Sequence, residues 1–97
     1  MRVHWTDRAK TRLKLIHEHI AKDAPLVATQ VVEHLLRSSI RIAEFPYSGR
    51  AVPEYQREDV REVLKHPYRI IYRILPDRID IITVMHYRQL LPGDLKG

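Results

Sequence analysis

The chain has 97 residues, of which 44% are hydrophobic, and its 17 Lys and Arg against 12 Asp and Glu give a formal net charge of +5. This length fits one domain, so we expect a single domain over residues 1–97, while the absence of cysteine excludes disulfides and thiolate metal sites. No apolar run approaches the ~18 residues of a membrane span, so we expect a cytoplasmic protein with anionic partners and no membrane role.

The first half of the chain predicts a short strand and two helices. Val3 to Trp5 is β-prone, and Thr6 offers an N-cap with Asp7 in the first turn of a helix. Pro25 breaks the helical periodicity and fits the first turn of a second helix, which ends at Phe45-Pro46. Two helices joined this tightly predict an αα-hairpin, whose apolar stripes contain Ala9, Leu13, Ile16 and Ile20, then Ala28, Val31, Val32, Leu35, Leu36 and Ile42.

The second half predicts a loop followed by three strands. From Pro46 to Glu54, two prolines and Gly49 indicate an ordered loop, with the glycine at a position of unusual backbone angles. Strands follow over residues 59–65, 68–75 and 79–87. The result is an α+β fold of order β-α-α-β-β-β, with a helical hairpin packed on one side of a small antiparallel sheet.

The last two strands allow a prediction of register. If Ile74 lies opposite Ile79, then Tyr72 faces Ile81, Ile70 faces Thr83 and Tyr68 faces Met85, and on the other side of the sheet Arg73 faces Asp80. The alternation assigns Tyr68 and Tyr72 to the core, and Trp5 with them. Tyr87 is likewise placed in the core, because it shares parity with Met85.

The polar side of these strands predicts a cationic surface that binds phosphates or carboxylates. Its members are Arg61, Arg69, Arg73, His86 and Arg88. The alternative is that they are solvated strand positions with one Arg73–Asp80 ion pair.

His86 and Tyr87 are the strongest candidates for acid–base chemistry, since histidine exchanges protons near neutral pH. Neighbouring strand residues point to opposite faces, so these two converge only if the strand ends or bulges there. The six histidines show no tight ligand spacing, so neither a metal nor another cofactor is expected.

Several segments together resemble the ParE/RelE toxin superfamily, and most of all its ParE branch. They cover nearly the whole chain and comprise Trp5-Thr6 with Ala9, IAKDAP from Ile20, FPYSGRAVPE from Phe45, DVREV from Asp59, YRIIYRI from Tyr68 and VMHYRQLLP from Val84. The resemblance implies the toxin of a type II toxin–antitoxin system, with a role in plasmid stabilisation. A cognate antitoxin would neutralise it by wrapping its C-terminal segment around the toxin in a hetero-oligomer.

The resemblance leaves two targets open. ParE-type toxins poison DNA gyrase, whereas RelE-type relatives cut mRNA in the ribosome. For a RelE-type ribonuclease, the resemblance implies Arg69 and Arg88, with His86 or Tyr87. Other ribonuclease relatives use a carboxylate with an arginine and a C-terminal His-Tyr, and the corresponding set here is Glu54, Arg69, His86 and Tyr87. The strand over residues 60–65 lacks the dense lysine run of RelE ribonucleases, so a non-enzymatic gyrase inhibitor is favoured. A DNA-binding module, suggested by net charge alone, ranks last because no helix-turn-helix pattern is evident.

The antitoxin itself is expected to contribute an acidic, partly disordered segment. We predict that it folds into the groove between the helical hairpin and the sheet, where Arg69 and Arg73 meet its carboxylates. The tail from Gln89 to Gly97 contains Pro92 and two glycines, so it is predicted to be irregular and is a candidate for contact with the target.

Overall fold

A computed structural model describes residues 1–89 of the chain, and the predicted irregular tail lies outside them apart from Gln89. The predicted order is confirmed, with one short strand and a 3-10 turn added inside the predicted loop. The elements are β1 (Arg2–Trp5), α1 (Asp7–Ala21), α2 (Pro25–Glu44), the 3-10 turn (Pro46–Ser48), β2 (Arg50–Ala51), β3 (Val60–Lys65), β4 (Tyr68–Ile74) and β5 (Arg78–His86).

The helix ends follow from the residues that cap them. The Thr6 side-chain oxygen accepts a hydrogen bond from the Ala9 amide at 3.2 Å, which satisfies one unpaired donor at the start of α1. Pro25 occupies the first turn of α2, where its missing amide hydrogen has no cost. Neither helix in the described part of the chain is long and apolar enough to cross a membrane.

The five strands form one mixed sheet in the order β1-β5-β4-β3-β2. The predicted antiparallel sheet is therefore corrected in one respect, because β1 pairs with β5 in parallel while the other neighbours are antiparallel. The helical hairpin carries the chain from β1 at one edge of the sheet to β2 at the opposite edge. Such a crossover connection is what allows β1 to lie parallel to its partner.

The predicted register of β4 and β5 is correct near their turn and wrong beyond it. Ile74 lies opposite Ile79 and Tyr72 opposite Ile81, as expected, and Arg73 lies opposite Asp80. A bulge then makes Ile82 an extra residue on β5. After it, Ile70 faces Val84 rather than Thr83, and Tyr68 faces His86 rather than Met85. The bulge reverses the side of the sheet to which the rest of β5 points.

Both sides of the sheet are buried. The helix face, which lies under α1 and α2, holds the larger cluster: Ala9, Leu35, Ile42, Ala43, Ile70, Tyr72, Ile79, Ile81 and Val84, with Trp5 and Tyr68 packed against it as predicted. The far face holds a second cluster: Val52, Val60, Ile71, Ile82 and Met85, with Tyr55 against it. Val52 and Tyr55 belong to residues 52–59, the far-face loop, which covers this side of the sheet.

Gly49 has a structural role that differs from the predicted one. Its φ of −76° is ordinary extended backbone, so the expectation of unusual angles is wrong. Instead, a Cβ at this position would lie 2.5 Å from the Tyr72 hydroxyl and 2.6 Å from the Glu62 carbonyl oxygen. The hydroxyl accepts a hydrogen bond from the Gly49 amide at 3.2 Å and donates one to the Pro46 carbonyl at 2.6 Å. Glycine is required here for close approach.

Candidate functional site

Arg69 is the most completely coordinated polar side chain on the far face. It lies near the start of β4 and is only 5% exposed. Its Nε and Nη2 donate to one Glu62 oxygen at 3.0 and 2.8 Å, and Nη2 and Nη1 donate to the two Glu54 oxygens, each at 3.0 Å. Nη1 also donates to the Gln89 carbonyl at 2.9 Å. A guanidinium has five N–H donors, and these contacts occupy all five.

The two carboxylates make this charge tolerable in a buried position. Burial alone disfavours the charged guanidinium, but the hydrogen bonds and charges of Glu54 and Glu62 outweigh it and raise the pKa of Arg69. Glu62 is itself 1% exposed and also accepts from Arg50 at 3.0 Å. We call Arg50, Glu54, Glu62 and Arg69 the buried ion network, after its two buried members, Glu62 and Arg69.

The predicted cationic surface is not assembled as expected. Arg69 was expected to be accessible, and this is wrong because the far-face loop covers it. Arg61 and His86 pair with Tyr72 and Tyr68, so they lie on the helix face, while Arg69 and Arg73 lie on the far face. The five predicted residues are therefore divided between opposite sides of the sheet.

Other members of the predicted surface also bond to their own chain. Arg61 donates to the carbonyls of Glu58 and Gly49, and its guanidinium lies 4.8 Å from the Tyr47 ring centroid. Arg73 donates to Asp59 at 3.2 Å. Asp80, its predicted partner, accepts from Arg78 at 2.8 Å. A role of Arg61, Arg73, His86 or Arg88 in binding stays a prediction.

The C-terminal turn, residues 87–89, brings several rings together. Because β5 ends at His86, the rings of His86 and Tyr87 converge, with centroids 4.8 Å apart. The His66 ring lies 5.0 Å from that of Tyr87, and the Arg88 Nε donates to the Tyr87 hydroxyl at 2.9 Å. Tyr87 is 38% exposed. The prediction that it lies in the core is wrong, because the bulge and the strand end change its direction.

The C-terminal turn and the buried ion network line a common cleft of about 400 Å³, formed by Arg50, Pro53, Glu54, Leu64, Arg69, Tyr87, Arg88 and Gln89. Its open cations are Arg88, which is exposed, and Arg50, whose side chain is 61% exposed. These two can still meet an anionic group, whereas Arg69 in its present contacts cannot. Among residues 1–89, no group of three or more histidine or acidic side chains is placed to hold a metal ion.

A second concave surface, the helix groove, lies between α1 and α2 beside β1. It has a volume of about 480 Å³ and is lined by Trp5, Lys10, Leu13, Lys14, His17, Val32 and Leu36. Its floor is apolar and its rim is basic. This groove was not predicted from the sequence, from which the partner was expected between the hairpin and the sheet. The spacing of Lys10, Lys14 and His17 around Leu13 was the available signal, because residues three and four apart share one helix face.

Residues 3–91 match the family model described as the ParE toxin of the type II toxin–antitoxin system parDE. The chain belongs to the ParE toxin family. It is thus the toxin of a type II toxin–antitoxin system, within the ParE/RelE superfamily predicted from its motifs.

Two named relatives of the chain are toxins by name. The chain is 41% identical over 92 residues to a protein named toxin Y4kP from Sinorhizobium fredii, covering 94% of this chain and 93% of the relative. It is 31% identical over 88 residues to toxin RelE2 from Caulobacter vibrioides, covering 91% and 97%.

The fold is shared with two solved complexes. The chromosomal ParDE system of P. aeruginosa matches with a TM-score of 0.75 at 21% identity, covering 89% of this chain and 95% of that one. The RelBE2 toxin–antitoxin complex of Mycobacterium tuberculosis matches with a TM-score of 0.55 at 24% identity, covering 88% and 95%. The likeness to both branches of the superfamily concerns the fold and leaves the target to be argued from the site.

Proposed function

We propose that this ParE-family toxin inhibits DNA gyrase without catalysing a reaction and is neutralised by an acidic antitoxin. The observation that carries the proposal is the saturation of Arg69, whose five N–H donors all bind groups of the same chain. A phosphate would have to displace both Glu62, which is buried, and Glu54, whose side chain is 22% exposed, and separating a buried ion pair is costly. The phosphate-binding arginine of the implied ribonuclease set is therefore occupied.

Purified gyrase provides the direct test. Supercoiling of relaxed plasmid should fall as the toxin is added, and preincubation with the cognate antitoxin should restore it. RNA should stay intact in the same preparation. A supercoiling reaction that proceeds unchanged at saturating toxin would refute gyrase inhibition.

A ribosome-dependent endoribonuclease is the second candidate, and the C-terminal turn favours it. His86 and Tyr87 lie face to face, and Arg88 contacts the Tyr87 hydroxyl, so a proton-transfer group and a cation lie side by side. This arrangement has the residue types that phosphodiester cleavage uses. Cleavage of mRNA on translating ribosomes, lost in His86→Ala, would favour the enzyme; intact mRNA would exclude it.

We propose the helix groove as the antitoxin-binding surface, in place of the contact predicted at Arg69 and Arg73. An acidic amphipathic segment matches this groove, since apolar side chains would fill the floor at Leu13 and Leu36 and carboxylates would meet Lys10 and Lys14. Both solved structures that share the fold are toxin–antitoxin systems, which supports a protein partner.

A charge reversal tests the groove. The double variant Lys10→Glu and Lys14→Glu should weaken antitoxin binding by at least about 100-fold, because each desolvated charge contact contributes roughly 1.5–3 kcal/mol. Lys22→Glu, at the C-cap of α1 and outside the groove lining, is the control and should change affinity by less than about threefold. Equal affinity in wild type and double variant would remove the groove from the interface.

A further inference from the structure

We infer that Arg69 is a positioning residue, which fixes the C-terminal turn on the far face so that Tyr87 and Arg88 are presented to the target. The inference rests on the proposed function for its activity measurement, but its structural part is tested separately. Arg69 would not touch the target. It would act through the Gln89 carbonyl, which accepts from Nη1 at 2.9 Å.

The contacts of the C-terminal turn explain why this bond matters. Within the turn, the Gln89 amide donates to the His86 carbonyl at 3.0 Å and the His86 amide donates to the Gln89 side chain at 2.9 Å. Both bonds are local, between residues three apart, so they do not hold the turn against the rest of the protein. The Tyr87 amide donates to the Pro67 carbonyl at 2.8 Å, which attaches the start of the turn to the connection between β3 and β4. Arg69 attaches its other end.

Arginine is suited to this double attachment. Its planar fork holds Glu62 of β3 and Glu54 of the far-face loop, and the N–H that remains on Nη1 points at Gln89. The buried ion pairs thus orient the group that holds the turn. Lysine keeps the charge but has three donors on a flexible stem, so it cannot satisfy both carboxylates and the carbonyl in the same geometry.

This inference differs from a purely stabilising role of the buried ion network. If the network only contributed to stability, an apolar replacement that folds well would preserve both the order of the turn and the activity. If Arg69 positions the turn, the same replacement would release it from a folded protein. Replacing a buried ion pair with apolar residues of similar volume is often neutral or stabilising.

The experiment uses three full-length variants: Arg69→Lys, the double variant Arg69→Met with Glu62→Met, and the control Arg78→Lys. Arg78 forms a more exposed ion pair with Asp80 on β5, away from the C-terminal turn, so this variant controls for the exchange of arginine for lysine. For each, thermal unfolding establishes the fold, and amide relaxation by NMR gives backbone order parameters for Arg88 and Gln89. Gyrase inhibition and antitoxin affinity are then measured on the same samples.

In wild type and Arg78→Lys we expect the backbone order parameter of Gln89 to be about 0.85, the value of rigid backbone. In the two Arg69 variants we expect this order parameter to fall below about 0.6. Gyrase inhibition by the Arg69 variants should weaken about tenfold or more, as expected for loss of a hydrogen bond from a charged group. Antitoxin affinity should stay within about threefold, because the helix groove is on the other side of the sheet.

Two results would overturn the inference: a rigid Gln89 in a folded Arg69 variant, or a mobile Gln89 in wild type. If Arg69→Lys fails to fold, the double methionine variant decides the outcome. A wild-type toxin without effect on gyrase would defeat the proposed function, yet the order parameters would still test the positioning role.

Discussion

The helix face and the far face of the sheet are both buried, but they are covered by different kinds of structure. On the helix face two long helices cover a continuous apolar cluster that includes Leu35 and Tyr72. On the far face an eight-residue loop (52–59) covers a smaller cluster, and beside it the buried ion network joins that loop to β3 and β4. A short loop hides little apolar surface, so paired charges complete the burial. Stability on the helix face should thus depend on packing, and on the far face on the completeness of the ion pairs.

The largest expected effect tests the ion pairs of the far face. Glu62→Ala should lower the free energy of unfolding by about 4 kcal/mol, because it leaves Arg69 buried with half of its compensating charge. Replacing Glu62 and Arg69 together by methionine should cost far less, within about 1.5 kcal/mol of wild type. Urea unfolding measures both. Similar losses in the single and double variants would contradict an ion network that acts as a unit.

Packing on the helix face gives the next largest effect. Leu35 is 1% exposed, and Leu35→Ala should cost about 3 kcal/mol through lost burial and the cavity left behind. Leu26 lies on the same helix but is 74% exposed, so Leu26→Ala is the matched control and should cost less than about 0.5 kcal/mol. Equal midpoints for the two variants in urea would show that the helices do not depend on this cluster.

The close packing around Gly49 gives a smaller effect. Gly49→Ala should cost about 2 kcal/mol, because the added methyl group would meet the Tyr72 hydroxyl and the Glu62 carbonyl. In a Tyr72→Phe background the hydroxyl is gone, so the same substitution should cost about 1 kcal/mol less. A double-mutant cycle by urea unfolding measures this difference. Full additivity would mean that the backbone oxygen alone restricts the site.

The sequence allowed the fold to be predicted well and the site only in part. Helical spacing located both helices, with the Thr6 cap marking the start of α1 and Pro25 the start of α2, since these signals depend on local chemistry. The register near the β4–β5 turn followed from the alternation of side chains, but the bulge at Ile82 left no local signal and displaced Met85, His86 and Tyr87 from their predicted sides. Period-two alternation correctly places Arg69 on the side of the sheet that faces away from the helices. It cannot reveal that a loop with little secondary structure folds back over that side of the sheet.

The smallest expected effect concerns the rim of the far face, where Asp59 is bound by Arg57 and Arg73. The Arg57 hydrogen bond holds the pKa of Asp59 below its usual value, so Asp59 stabilises the fold above about pH 4, and this contribution disappears as the pH falls through the lowered pKa. Asp59→Asn should therefore cost less than about 1 kcal/mol at pH 7, because the side chain is 36% exposed and screened by solvent. In acid the two proteins should unfold alike. If Asp59→Asn stays less stable than wild type below the native pKa of Asp59, the asparagine amide disturbs the packing of the far-face loop. Packing, and not charge, would then hold this loop in place.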